Sequence, residues 1–91
     1  MADKMSEMGE LFLAAGKAHH QAYIETDGDD PEWPLWYANY LQASLSTQLG
    51  TDLTRSMIVY WLIKLDLDYR ASGSDEPWPT WYAAVLIDHY S

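Results

Sequence analysis

The residues able to do chemistry in this chain are three histidines, a run of carboxylates, and the rings of five tryptophans and seven tyrosines. His19 and His20 are adjacent, so on a helix they point about 100° apart and cannot comfortably share one metal ion. His89 sits beside Asp88 near the C-terminus. A site joining His19 or His20 to a loop carboxylate would draw on Glu25 or Asp30, yet the chain has no HExxH pair, no inward ExxH and no zinc spacing. The acidic stretch from Thr26 to Asp30, TDGDD, invites calcium. It lacks the alternating ligands of an EF-hand, and the twelfth position counted from Asp27 is Ala38 rather than glutamate. No metal or other cofactor is therefore expected. Cysteine is absent, which excludes disulfides and thiolate chemistry. No Gly-x-Ser-x-Gly elbow and no glycine-rich phosphate loop is present, and no pair of carboxylates stands out as acid and base, so the chain is not expected to be an enzyme.

The aromatic residues are patterned more strongly than the titratable ones. Residues 28–41, GDDPEWPLWYANYL, recur 45 positions later as residues 73–86, GSDEPWPTWYAAVL. The identical pairs are Gly28/Gly73, Asp30/Asp75, Trp33/Trp78, Pro34/Pro79, Trp36/Trp81, Tyr37/Tyr82, Ala38/Ala83 and Leu41/Leu86. Two uses of such an element are compatible with its chemistry. It can be a corner: proline fixes the start of a helix, Trp33 or Trp78 stands extended before it and folds back as a lid, Trp36 or Trp81 packs on the preceding helix, and Asp30 or Asp75 accepts hydrogen bonds from nearby amides or from an indole. It can also present aromatic anchors to a partner or line a groove. On the second use the candidate binding or interface residues are Trp33, Trp36, Tyr37, Trp78, Trp81 and Tyr82, with His19, His20 and Asp30.

The segment His19-His20, then Tyr23, then D-x-x-W-P-x-W-Y-A-x-Y-L from Asp30 to Leu41 resembles a set of small uncharacterised bacterial proteins, and similar segments occur as short tails on other bacterial proteins. The resemblance covers about residues 18–45. It implies a compact helical module and brings no activity, cofactor or catalytic residue.

The elements that must position these residues read as four helices. Residues 6–26 carry Met8, Phe12, Ala15, His19 and Ala22 at spacings of three and four, with Ser6 or Asp3 as cap and small residues around Gly16 that admit a close neighbour. Gly28 can take the left-handed conformation in the loop that follows. A second helix runs from Pro34 to Leu49 with Tyr37, Ala38, Leu41, Ser44, Leu45, Gln48 and Leu49 inward, and Gly50 ends it. Thr51 or Asp52 caps a third helix over 53–71. Its middle, Met57 to Ile63, is apolar almost all round, which predicts a central position; a buried strand is the competing assignment for 57–63. A fourth helix spans 79–89, with Trp81, Tyr82, Val85, Leu86 and His89 on its apolar side. The order helix, loop, WPxWYA helix occurs twice. The expected fold is all-α, one domain over residues 1–91: a four-helix bundle of two repeated hairpins, approximately 6–50 and 51–91, with pseudo-twofold symmetry.

The bulk properties narrow the partners. Fourteen acidic and five basic residues give a net charge of −9, which repels nucleic acid and anionic lipid. The N-terminus lacks a signal peptide's basic start and apolar run, and the longest apolar run is too short for a bilayer, so a cytoplasmic protein is expected. Ninety-one residues build only a modest core, and the aromatic content exceeds what it can hold, so a homodimer or a protein partner is the first expectation. A small-molecule or metal site between the hairpins near His19, Trp36 and Trp81 is the alternative. An acidic decoy for a basic protein comes third, weakened because Glu25, Asp27, Asp29, Asp30 and Glu32 cluster at one end instead of lying in rows.

Overall fold

The computed structural model describes residues 3–90, folded as four α-helices: α1 (Lys4–Ala22), α2 (Trp33–Leu49), α3 (Arg55–Ser72) and α4 (Trp78–Tyr90), with one 3₁₀ turn at Ile24–Thr26. No strand occurs among the described residues, so the stretch 57–63 is helical.

The ends of the helices follow local chemistry. Asp3 is the N-cap residue of α1, and its carboxylate accepts from the Ser6 hydroxyl rather than from a helix amide. α1 stops at Ala22, short of the expected Thr26, because the chain closes a 3₁₀ turn and then passes through left-handed conformations at Asp27 (φ 56°) and Gly28 (φ 85°). Trp33 and Trp78 are the first residues of α2 and α4 instead of standing extended before them, and proline occupies the first turn of each helix. α2 ends at Gly50 in the left-handed conformation. α3 starts two residues later than expected. Its cap is Thr54, whose hydroxyl accepts from the Met57 amide at 3.1 Å. Leu53 is the reason: it is buried in the core, its amide donates to Ser46 Oγ and its carbonyl accepts from Gln42, so the chain before Thr54 is committed to packing against α2. Leu53 and Ile58 flank the cap in the positions of a hydrophobic staple, and both are core residues.

The core is Met8, Phe12 and Ala15 of α1, Ala38, Leu41, Leu45 and Leu49 of α2, Ile58, Trp61, Leu62 and Leu65 of α3, and Tyr82, Ala83 and Leu86 of α4, with Leu53 from the loop. Each buried large apolar side chain contributes about 1.5–3 kcal/mol. α1 packs most extensively on α4 and α2 on α3; α1 also meets α2, while α3 touches α4 only lightly. α3 therefore buries one face, with Ile58, Trp61, Leu62 and Leu65, and leaves the opposite face to solvent. Tyr60 is 60% exposed and Leu67 62%, and Met57 and Ile63 are exposed with them. Ala22, Ser44 and His89, expected on inward stripes, also face outward. No helix among the described residues is long and apolar enough to cross a membrane.

Candidate functional site

The site is built from the C-terminal turns of α1 and α3 and the N-terminal turns of α2 and α4, which meet at one end of the fold around a cavity of about 460 Å³. Its wall includes His19, Gly28, Asp29, Asp30, Trp33 and Tyr37 from the first half of the chain. From the second half come Leu62, Asp66, Tyr69, Arg70, Trp78 and Tyr82.

His19 and Asp30 form the anchor. His19 Nε2 lies 3.0 Å from Asp30 Oδ2, and both side chains are buried, at 8% and 7% exposure. An imidazole nitrogen and a carboxyl oxygen at this distance share one proton in a hydrogen bond. Asp30 Oδ1 accepts the Glu32 amide at 3.1 Å, and the Asp30 carbonyl accepts the Trp33 amide. One aspartate thus ties the end of α1 to the start of α2. The imidazole is stacked on Tyr23 on one side and Tyr37 on the other, both with ring centres at 4.9 Å, and Trp36 meets it edge-on at 5.0 Å.

The second corner uses other atoms for the same task. The Tyr69 hydroxyl, near the end of α3, donates to the Glu76 carbonyl just before α4. Its ring packs on Trp81 at 5.4 Å and on Tyr82 at 6.2 Å. Asp75 is exposed, and the nearby Glu76 amide is taken by Ser74 Oγ. The corner role expected of both aspartates therefore belongs to Asp30 alone.

The rings of the two corners stand at steep angles. Trp33 meets Tyr37 at 5.8 Å and 84°, and Trp78 meets Tyr82 at 5.1 Å and 66°. Burial pushes the Tyr82 hydroxyl up to about 12, helped by the negative charge of Asp66, and burial likewise raises Tyr37. The Tyr23 hydroxyl is raised by desolvation and then by the charge and hydrogen bond of Asp30. These phenols stay neutral at ordinary pH. Arg70 Nε donates to Asp66 Oδ1 at 3.1 Å, closing one rim of the cavity.

Of the residues singled out in the sequence, His19, Asp30, Trp33, Tyr37, Trp78 and Tyr82 converge on the cavity. Trp36 and Trp81 stand behind it, packed on His19 and Tyr69. His20 lies outside this wall: it is half-exposed, 3.9 Å from the fully exposed Asp27, and lines a second depression with Leu13, Gly16 and Lys17, which Tyr37 and Trp78 also border. Leu62, Asp66, Tyr69 and Arg70 lie outside the repeated motif and carry no sequence signature of their own beyond their spacing. Their spacing of four, three and one places them on one face of α3, the signal that could have found them. Among the described residues no three histidine, aspartate or glutamate side chains are grouped so as to hold a metal ion. Comparison with family models, curated proteins and solved structures returned no match.

Proposed function

We propose that this protein is a small ligand-binding module, made of two copies of a helix–corner–helix unit, whose site is the cavity between the corners. The observation that carries it is that the wall takes the same two positions from both copies, Trp33 with Trp78 and Tyr37 with Tyr82. The duplication extends beyond the WPxWYA stretch if the first helices are aligned 50 positions apart rather than 45, the connection before α2 being five residues longer. The core residues then correspond: Met8 with Ile58, Phe12 with Leu62, Ala15 with Leu65, and His19 with Tyr69. The extensive packing of α1 on α4 and of α3 on α2 supports a pseudo-twofold relation, although α1 meets α2 more closely than α3 meets α4. Binding is favoured over catalysis because the sole histidine on the wall has Nε2 engaged by Asp30 and both faces covered by tyrosine rings. A cavity of this volume matches small-molecule sites. The test is a thermal-shift and tryptophan-fluorescence screen of a broad metabolite panel. A ligand that raises the Tm and alters the emission, with both effects reduced in Trp33→Leu and Trp78→Leu, is expected. A flat response across the panel would sink the proposal.

A second reading, self-association through α3, is favoured by the outward apolar stripe Tyr60, Ile63 and Leu67. α3 carries three basic against two acidic residues in a chain of net charge −9, so two copies repel least when α3 faces α3. Sedimentation equilibrium would then give twice 10.4 kDa, reduced to the monomer by Leu67→Glu. A monomer at every concentration excludes it.

A further inference from the structure

We propose that the cavity between the corners takes an alkylated ammonium group, the choline-like head of a small molecule, held by aromatic faces and a negative field. The inference rests on the cavity being the binding site. Three observations select this class.

The first is the geometry of the rings. Trp33 and Tyr37 meet at 84° and Trp78 and Tyr82 at 66°, and Tyr69 stands at 81° to Tyr82. Five aromatic rings, Trp33, Tyr37, Tyr69, Trp78 and Tyr82, thus line one space in differing orientations. Aromatic faces are the negative part of the ring and attract a cation, tryptophan most strongly.

The second is charge. Asp29, Asp30 and Asp66 line the cavity against a single permanent cation, Arg70, whose Nε is bound by Asp66. The chain as a whole is at −9. The helix dipoles do not alter the sign, since two N-termini (α2, α4) and two C-termini (α1, α3) converge and offset one another. An anionic ligand is disfavoured throughout this space.

The third separates an alkylated ammonium from a primary one. A primary ammonium carries three donors and strong hydration, and needs acceptors to replace the lost water. Here the buried carboxylate of the wall, Asp30, is engaged at both oxygens, Oδ2 by His19 and Oδ1 by the Glu32 amide; Asp66 Oδ1 is taken by Arg70, and Asp29 is exposed to water. A quaternary head has no N–H to satisfy and sheds its water easily. It asks only for ring faces and a negative potential.

Titration calorimetry and tryptophan fluorescence on the full chain test this with three probes: choline, its neutral carbon isostere neohexyl alcohol, and ethanolamine. Choline is expected to bind at least about tenfold more tightly than either of the others, the margin a desolvated cation–π contact supplies. Trp33→Phe and Trp78→Phe, which keep a smaller ring and preserve helical circular dichroism, weaken choline several-fold. Arg70→Ala, at a side chain 76% exposed and so without consequence for folding, removes the competing cation and tightens choline. Equal binding of choline and neohexyl alcohol, stronger binding of ethanolamine, or weaker choline binding in Arg70→Ala would each overturn the ammonium assignment and leave the cavity as a site for another ligand. If none of the three probes binds but the metabolite panel yields a ligand lost in Trp33→Leu, the assignment again falls and the site stands. If the panel is also flat, both fall.

Discussion

Asp30 does three things at once: it holds His19, takes the Glu32 amide, and receives Trp33 at its own carbonyl. Removing one partner of a buried hydrogen bond leaves the other polar group without compensation. His19→Ala should therefore cost about 1–3 kcal/mol, a sizeable part of the total for a chain of 91 residues. His19→Phe combined with Asp30→Asn keeps an acceptor for the Glu32 amide, fills the space between Tyr23 and Tyr37 and removes the carboxylate. It should cost clearly less than His19→Ala. Urea unfolding of the two variants checks this, and a loss under about 1 kcal/mol for His19→Ala would show that the pair holds nothing. Loop glycines give a second residue-scale comparison. Gly28 sits at φ 85° and an added Cβ would lie 3.0 Å from His20 Nδ1, whereas Gly73 at φ 66° has open space around it. Gly73→Ala should cost about 1 kcal/mol from backbone strain alone, and Gly28→Ala more. His20→Ala should recover the excess at Gly28. The histidine on the α1 stripe and the loop carboxylates Glu25 and Asp30 were legible as a possible set. That Asp30 is the partner was not, because the choice depends on left-handed turns at Asp27 and Gly28 that bring the chain back over α1.

At the level of elements, α1 and α4 are joined through Gly16. A Cβ there would meet the Trp78 ring at 3.2 Å, so the close approach of the two helices depends on the missing side chain. Gly16→Leu should push Trp78 from its place against Phe12, where the rings meet at 6.2 Å, and destabilise the fold by about 1–3 kcal/mol. Because Trp78 also lines the cavity, the same variant should change tryptophan emission and abolish ligand responses. Unchanged emission would mean that the ring does not move. Gly16→Ala, by contrast, gains helix propensity while displacing the ring only slightly, and should be close to neutral. The helices themselves were legible from periodicity and punctuation. The starts of α2 and α4 at WP, the stop at Gly50 and the α1 stripe from Met8 to His19 all follow from local rules. The start of α3 and its position in the fold did not. Thr54 caps it because Leu53 is drawn into the core by Ser46 and Gln42, and one side of its apolar middle, Met57, Tyr60 and Ile63, is left exposed because α4 packs mainly on α1. Both outcomes are set by tertiary contacts that no window of sequence contains.

For the molecule as a whole, the cavity is the feature least visible in sequence, since it exists only where four helix ends meet, although half of its wall carries the repeated aromatic motif. The phenols in that wall tie its integrity to pH. The Tyr82 hydroxyl ionises at about 12 in the folded protein against 10.0 for the free group, chiefly because burial opposes its charge, with Asp66 adding to the effect. Tyr37 shifts in the same direction through burial. A raised pKa means the folded state holds the proton longer than the unfolded chain does. Between about pH 10 and 12 the native protein therefore binds more protons than the unfolded one, and its stability falls as pH rises. Below pH 10 both states are protonated and these groups contribute their full stabilisation. Alkaline titration should thus show a late part of the tyrosinate absorbance, that of the buried phenols, appearing in step with loss of helical circular dichroism across that window. Tyr82→Phe keeps the ring contacts with Phe12, Trp78 and Tyr69, at 5.7, 5.1 and 6.2 Å, and removes the titrating group. It should move the alkaline transition upward without lowering stability at neutral pH. A variant that unfolds at the same pH as the parent would mean that the buried phenol does not couple the corner to the rest of the fold.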